Sequence, residues 1–319
     1  MAVGVPPLPG SGYPEAVFLD VVDRLRAAGC VFAEDEARLL LAGGSGPDEL
    51  DAMVLKRAAG LPLEHILGWA QFCGLRIAVG TGVFVPRQRT ELMVAEAVAL
   101  ARVHASNDDD DDDGFGLGAW AEVPLVVVDL CCGSGAVGAA VAAALDAART
   151  DALNAGGPGV LKATGPAVDL YAADIHPAAV QFARRNLAAA GGQVFHGDLF
   201  EPLPARLGGR VDILLANTPY VPTEEIALMP PEARLHEPRV SLDGGADGLE
   251  IQRRVAAEAP RWLAPGGHVL VESSERQAPL SAEIFARNGL VPRVVSSDEL
   301  YATVVIGTRP GTRLGTRPR

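Results

Sequence analysis

Val126-Val-Val-Asp129-Leu-Cys-Cys-Gly133-Ser-Gly135-Ala-Val-Gly138 is the stretch on which the fold turns. A short, β-branched apolar run reads as a buried strand, and the glycines behind it as a tight turn. The alanine-rich segment that follows reads as a helix. Strand, glycine turn and helix in that order set backbone N–H groups and a helix N-terminus around whatever occupies the turn. Gly133-Ser-Gly-Ala-Val-Gly138 matches G-x-G-x-x-G, a spacing used by nicotinamide, flavin and S-adenosylmethionine folds alike. Asp129 tilts the balance, because an acid here repels a pyrophosphate and suits a cationic methionine end. A glycine turn that serves packing alone is the competing reading.

Outward from this stretch, strand and helix patterns alternate. Strands are expected at 124–130, 168–173, 193–196, 211–216 and 267–272, with a closing pair near 291–295 and 302–307. Helices are expected at 135–148, 177–189, 246–259 and 277–288. Such alternation implies an α/β fold, a mainly parallel sheet covered on both faces. Residues 14–60 read as short helices, with Val17, Leu19, Val21, Val22 and Leu25 near helical spacing and acids opening the next two. The pattern turns strand-like around Gln71–Val79, Gly80-Thr-Gly82 offers a turn, and 90–103 is again helical. The six aspartates Asp108–Asp113 repel one another and bury nothing, so a disordered linker is expected there. Arg149–Pro166 reads as a loop insertion, and Thr308–Arg319 as a disordered tail.

With 319 residues, 49% of them hydrophobic, the chain has material for one large domain and a small one. A formal charge of −13 argues against a protein that clamps nucleic acid through clustered Lys and Arg, although a local basic patch could hide in that total. Cys30, Cys73, Cys131 and Cys132 show neither metal-ligand spacing nor a secreted framework. The six histidines show no ligand spacing either. The N-terminus carries no basic or long apolar leader pattern, so a cytoplasmic protein without membrane spans is expected.

Asp174 ends the second strand of the alternating set, where an acid can accept both hydroxyls of a ribose. Asp198, after the third, could accept an adenine amino group, with Leu199 or Phe200 covering the ring. Asn217-Thr218-Pro219-Tyr220 closes the apolar run Val211–Ala216. A planar amide, a proline-stiffened turn and an aromatic ring together can immobilise a flat nitrogen whose delocalised lone pair makes it a poor nucleophile. Positioning in line with an S–CH₃ bond then supplies the rate. Asn217 could accept one N–H and a carbonyl of Thr218 or Pro219 the other, with Tyr220 packing on the planar group. The residues point to methyl transfer from S-adenosylmethionine to an amide or exocyclic amino nitrogen.

Five blocks carry a family resemblance: Arg57–Gly68; Val83-Phe-Val-Pro-Arg87 with Thr90-Glu91; Asp129–Gly135; Asn217–Tyr220; and His236-Glu237-Pro-Arg-Val-Ser-Leu-Asp-Gly-Gly-Ala-Asp-Gly-Leu249. The chain resembles the HemK/PrmC family of protein-(glutamine-N5) methyltransferases from about residue 50 to 307. The resemblance implies a seven-stranded Rossmann-like class I S-adenosylmethionine-dependent methyltransferase fold with a small N-terminal helical domain. In that scheme 1–68 recognises substrate, 69–106 forms a β-hairpin and connecting helix, 107–120 is the acidic linker, 121–308 the catalytic domain and 309–319 the tail.

The resemblance further assigns catalysis to Asn217, Pro219 and Tyr220. Asp129, Cys131, Gly133, Ser134, Gly135, Asp174, Asp198, Leu199 and Asn217 are the expected cofactor residues. Thr218, Phe84, Arg87, Thr90, Glu91 and Glu237 join the Asn217–Tyr220 turn in binding substrate, which in that family is the glutamine of a Gly-Gly-Gln loop in a peptide chain release factor. Thr218 stands where a first proline is usual, and Cys131 where a glycine is usual, which fits if its φ stays negative. Gln88-Arg89 replaces a proline-acid pair, and His65 and Gln71 replace a tyrosine and a glutamate. Amino methylation of nucleic acid, a nicotinamide oxidoreductase and a catalytically silent cofactor-binding module are the alternatives, and no metal is expected.

Overall fold

The computed structural model describes residues 13–107, 124–155 and 167–311. The acidic run, most of the expected insertion at 149–166 and the last eight residues of the tail lie outside them.

The N-terminal part is helical: α1 (Glu15–Ala27), α2 (Ala33–Gly43), α3 (Pro47–Ala58) and the short α4 (Leu63–Leu67). Phe18, Val21, Val22 and Leu25 form the buried stripe of α1, so Phe18 takes the inward place expected of Leu19, which is 52% exposed. The two differ by 100° around the helix, and only Phe18 falls on the Val21–Val22–Leu25 face. With Leu40 and Val54 these residues make a small core of their own. Arg57 ties the unit to the rest of the chain: its guanidinium grips Glu36 at 2.6 and 2.9 Å and reaches Glu232 at 3.2 Å.

A hairpin follows, β1 (Trp69–Phe72) paired with β2 (Leu75–Ala78). Its turn is Cys73-Gly74, both left-handed at φ 46° and 76°, as the right-handed twist of two paired strands favours. Gly80-Thr-Gly82 forms a separate turn, closed by the Val83 N–H on the Gly80 carbonyl at 3.1 Å. Helix α5 (Glu91–Asn107) then runs on to the sheet, and the hairpin and α5 share the core of one sheet face.

That sheet has seven strands: β3 (Leu125–Leu130), β4 (Val168–Asp174), β5 (Gln193–His196), β6 (Val211–Ala216), β7 (Leu263–Ser273), β8 (Val291–Ser297) and β9 (Ala302–Thr308). Their spatial order is β5-β4-β3-β6-β7-β9-β8. The first five of that order pair in parallel, while β9 runs antiparallel between β7 and β8. All six residues of β3 and of β6 are buried, which explains why both read as unbroken apolar runs rather than alternating ones. Val127, Ile213 and Leu215 face α5 and α6 (Ala136–Ala155). Val126, Val128 and Leu214 face α9 (Glu250–Trp262) and α10 (Ala278–Arg287).

From β3 the chain builds outward through α7 (Pro177–Leu187) to β5, then returns to the other side of β3 for β6. The strand order therefore reverses between β3 and β6, and a crevice opens above their carboxyl ends. The loops that leave those ends are the ones carrying Cys131–Gly135 and Asn217–Tyr220. The remaining helix, α8 (Pro231–His236), was not foreseen and lies beyond the second loop.

Candidate active site

At the end of β3, Asp129 is 1% exposed, and its carboxylate accepts the N–H of Gly138 in α6 at 3.0 Å. Burial pushes its pKa up to about 7, the Gly138 N–H offsets part of that, and the Asp174 carboxylate adds to it. Cys131 has φ 52°, not the negative value expected of it. The path from strand to helix demands a left-handed residue here, and a cysteine fills a place that suits glycine. Gly133 is left-handed as well, and a side chain there would stand in open space.

Asp174 binds both neighbouring backbones: one oxygen accepts the Gly133 N–H and the other the His176 N–H, each at 2.8 Å. Burial raises its pKa, and those two N–H groups oppose the rise. Asn186 of α7 locks the same loop from behind. Its amide donates to the Ser134 carbonyl at 2.8 Å and pairs with both backbone groups of Ala78 in the hairpin. Asp198, after β5, is held by the Arg254 guanidinium at 2.6 Å.

On the β6 side, the Asn217–Tyr220 turn is braced from outside. Residues 242–248 run along it, with the Val221 N–H on Leu242 at 3.1 Å and the Gly244 N–H on Val221 at 2.9 Å. The approach is so close that a Cβ on Gly248 would lie 2.2 Å from the Tyr220 carbonyl oxygen, and one on Gly244 2.6 Å from that of Pro219. The glycines of the fifth sequence block are thus the room in which the turn sits. The Tyr220 hydroxyl donates to Glu272 at 2.9 Å; burial, then that carboxylate, raise its pKa.

Both loops open into one cavity of about 530 Å³, a volume that suits a cofactor-sized ligand. Asp129, Cys131, Gly133, Ser134, Asp174, Asp198 and Leu199 line it on one side. Asn217, Thr218, Pro219, Tyr220, Phe84, Arg87, Thr90 and Glu237 line it on the other. Glu237 is held by Arg87 through one oxygen, while its second oxygen is buried without a hydrogen-bond partner. Burial raises the pKa of this carboxyl, and Arg87 draws it back.

Three expected residues do not reach the cavity. Glu91 turns back to accept the Cys73 N–H at 3.1 Å, which pins the hairpin turn. Gly135 packs against Ala183 and Leu187 of α7. Phe200 is buried, stacked on Trp262 with ring centroids 5.3 Å apart, so of the pair proposed to cover a ring only Leu199 is available. Among the described residues no cluster of His, Cys, Asp or Glu could hold a metal ion, and no helix is long and apolar enough to cross a membrane.

No family model matches the chain. Curated relatives do. A release factor glutamine methyltransferase from Geobacter sulfurreducens is 33% identical over 270 residues, 83% of this chain and 80% of its own. Its counterpart from Deinococcus radiodurans is 34% identical over 283 residues, 82% of this chain and 86% of its own. The chain belongs to the release factor glutamine methyltransferase family. It is a methyltransferase, and its cofactor is S-adenosylmethionine. A solved protein-(glutamine-N5) methyltransferase (release factor-specific) from Alicyclobacillus acidocaldarius aligns over 73% of this chain and 99% of that one, at 22% identity and a TM-score of 0.37.

Family membership removes the nicotinamide reading of Gly133–Gly138. Several residues around the methyltransferase cavity carried no mark in the sequence. Arg254 and Asn186 sit on helix faces that read as ordinary surface. Glu272 does carry a mark: like Asp129, it is an acid ending a run of apolar strand residues, Val269-Leu-Val271.

Proposed function

We propose that this methyltransferase modifies the side-chain amide nitrogen of a glutamine in a peptide chain release factor. The observation that carries the reading is that the glycine loop after β3 and the Asn217–Tyr220 turn after β6 line a single cavity. The donor set fits S-adenosylmethionine. Two neighbouring carboxylates, Asp129 and Asp174, both with raised pKa, call for a cation, and the open space at Gly133 lets a ligand meet backbone. Asp174 retains lone pairs for the ribose hydroxyls, and Leu199 with Ile175, half exposed on the wall, can flank an adenine ring.

When bound, S-adenosylmethionine supplies an electrophilic methyl group on a sulfonium. The protein's share is to hold the acceptor nitrogen in line with it. Asn217 accepts one amide N–H through its side-chain oxygen. The Pro219 carbonyl is turned toward Gly244, which leaves the carbonyl of Thr218 as acceptor for the second N–H. Tyr220 packs on the flat amide, and Glu237, on the same wall of the cavity, serves as a substrate-binding carboxylate. No strong base is needed, because the nitrogen becomes acidic as the methyl group arrives. The N-terminal domain, 1–68, whose described part has a core of its own, serves to recognise the protein substrate. A release factor substrate places the enzyme in the cytoplasm.

The test is transfer of radiolabelled methyl to purified release factor. Label should map to the glutamine and fall by about 100-fold or more with Asn217→Ala. Transfer to RNA or DNA instead, or to no macromolecule, overturns the reading.

A further inference from the structure

Glu272 is the buried acid of β7, 3% exposed, and it stands outside the cavity wall. Its place follows from register. Ala216, the last residue of β6, lies beside Val271 of β7, so the residues that follow, Asn217 and Glu272, are neighbours. One carboxylate oxygen accepts the Thr90 hydroxyl at 2.6 Å. The other accepts the Tyr220 hydroxyl at 2.9 Å and has the Arg89 guanidinium 3.9 Å away. Thr90 in turn lies 3.5 Å from the amide nitrogen of Asn217. Two hydroxyls and one distant, half-exposed cation are thin compensation for burying a carboxylate. A residue that served packing alone would be apolar.

We propose that Glu272 is the positioning residue that decides which end of the Asn217 amide faces the substrate. A carboxylate only accepts hydrogen bonds, and a threonine hydroxyl has one hydrogen to give. Thr90 gives that hydrogen to Glu272, so toward Asn217 it can only accept. Asn217 must therefore turn its NH₂ to Thr90 and its oxygen into the cavity. The polarity of a carboxylate two hydrogen bonds away is thereby transmitted to the wall of the site, which selects a group carrying N–H over one carrying only a lone pair. Tyr220 is tied to the same carboxylate, so its ring and the Asn217 oxygen keep a fixed relation. The inference rests on the proposed glutamine acceptor for its consequence, but not for its geometry.

Glu272→Gln is the discriminating change. Arg89 keeps the amide oxygen of the new glutamine on its own side, next to Tyr220. The new NH₂ then faces Thr90, which becomes an acceptor there and is free to turn its hydrogen toward Asn217. With its orientation no longer fixed, Asn217 can flip and present NH₂ to the cavity, a donor opposite a donor. The expected result is a loss of roughly 30- to 100-fold in kcat with release factor, with S-adenosylhomocysteine affinity and melting temperature close to those of the parent. Thr90→Val removes the misdirecting hydroxyl, so the double variant Thr90→Val/Glu272→Gln should be more active than Glu272→Gln alone, whereas losses of packing would compound.

Should Glu272→Gln fail to fold, Thr90→Ser and Thr90→Val carry the same test: a larger loss for valine supports the chain, and equal losses overturn it. Full activity in Glu272→Gln, or a double variant worse than either single one, also overturns it. If the parent enzyme transfers no methyl to release factor, the substrate reading fails instead. The orientation of Asn217 is then read directly from NMR cross-peaks between its side-chain NH₂ and Thr90, expected in the parent and absent in Glu272→Gln.

Discussion

The proposed contact of Asp129 with the cofactor makes affinity depend on pH in a calculable way. Its carboxyl, buried under the β3–α6 turn, titrates near 7 in the ligand-free protein because burial penalises its charge. The cationic end of the cofactor needs the ionised form. Binding must therefore expel the proton wherever it is still present. For a single group titrating near 7, about one-eleventh of the molecules are ionised a unit below and ten-elevenths a unit above, so affinity should rise about tenfold from pH 6 to pH 8. That rise is worth about 1.4 kcal/mol. Stability of the free protein runs the other way. A carboxyl with a raised folded-state pKa favours folding below its unfolded value near 4 and withdraws that support as pH climbs through 7. Calorimetric titration with S-adenosylhomocysteine in buffers of different ionisation enthalpy measures both affinity and protons released. Asp174 also titrates high, so Asp129→Asn separates the two, and it should abolish most of the slope while weakening binding. A flat affinity from pH 6 to 8, or an unchanged slope in Asp129→Asn, would refute the assignment.

Two further substitutions probe backbone geometry. Cys131→Gly relieves a left-handed cysteine and should stabilise the protein by about 0.5–1 kcal/mol, read from the urea midpoint, because the strain removed exceeds the added chain entropy. Gly248→Ala does the reverse: it places a Cβ 2.2 Å from the Tyr220 carbonyl at φ 79°, and should cost roughly 2–4 kcal/mol and most of the transferase activity. A stable, active Gly248→Ala would show that the 242–248 loop does not brace the turn.

Much of the architecture was legible because it depends on local chemistry. Strands 193–196 and 211–216 fall where the sequence pattern predicts, each bounded by turn residues. The first helix after the fifth sequence block starts at Glu250, not 246, because Gly244–Gly248 is spent on backbone contact with Tyr220 and Pro219. Sequence distance hides such contacts. It also hid the outward turn of Glu91 to the hairpin, the burial of Phe200 against Trp262 and the return of Glu272 beneath Asn217. Each depends on which residues the sheet order brings side by side, and periodicity along one segment carries no information about its neighbours. The left-handed φ of Cys131 is different in kind: the strand-to-helix path fixes it, and the residue type only sets its cost.

Contacts from outside the turn let the chain tolerate threonine at 218, where its family resemblance calls for proline. A proline stiffens a turn from within, yet this turn takes its shape from without: Leu242 and Gly244 hold Val221, Gly248 abuts Tyr220, and Glu272 anchors the Tyr220 hydroxyl. Gln277 completes the frame. Its amide, on a residue 8% exposed, donates to the Tyr220 carbonyl at 3.0 Å and the Asp247 carbonyl at 2.9 Å, stitching the turn to its brace. Gln277 does not line the cavity. If external bracing supplies the rigidity, Gln277→Ala should leave two carbonyls short of a donor, at a cost of about 1–3 kcal/mol. The loss in catalysis should appear in kcat, since the acceptor amide is then held less firmly in line, while S-adenosylhomocysteine binds as before. The loss should grow with temperature as the turn loosens. An unaltered kcat in a folded Gln277→Ala would mean that Asn217 and Tyr220 are rigid on their own account, and that Thr218 replaces proline for a reason the brace does not explain.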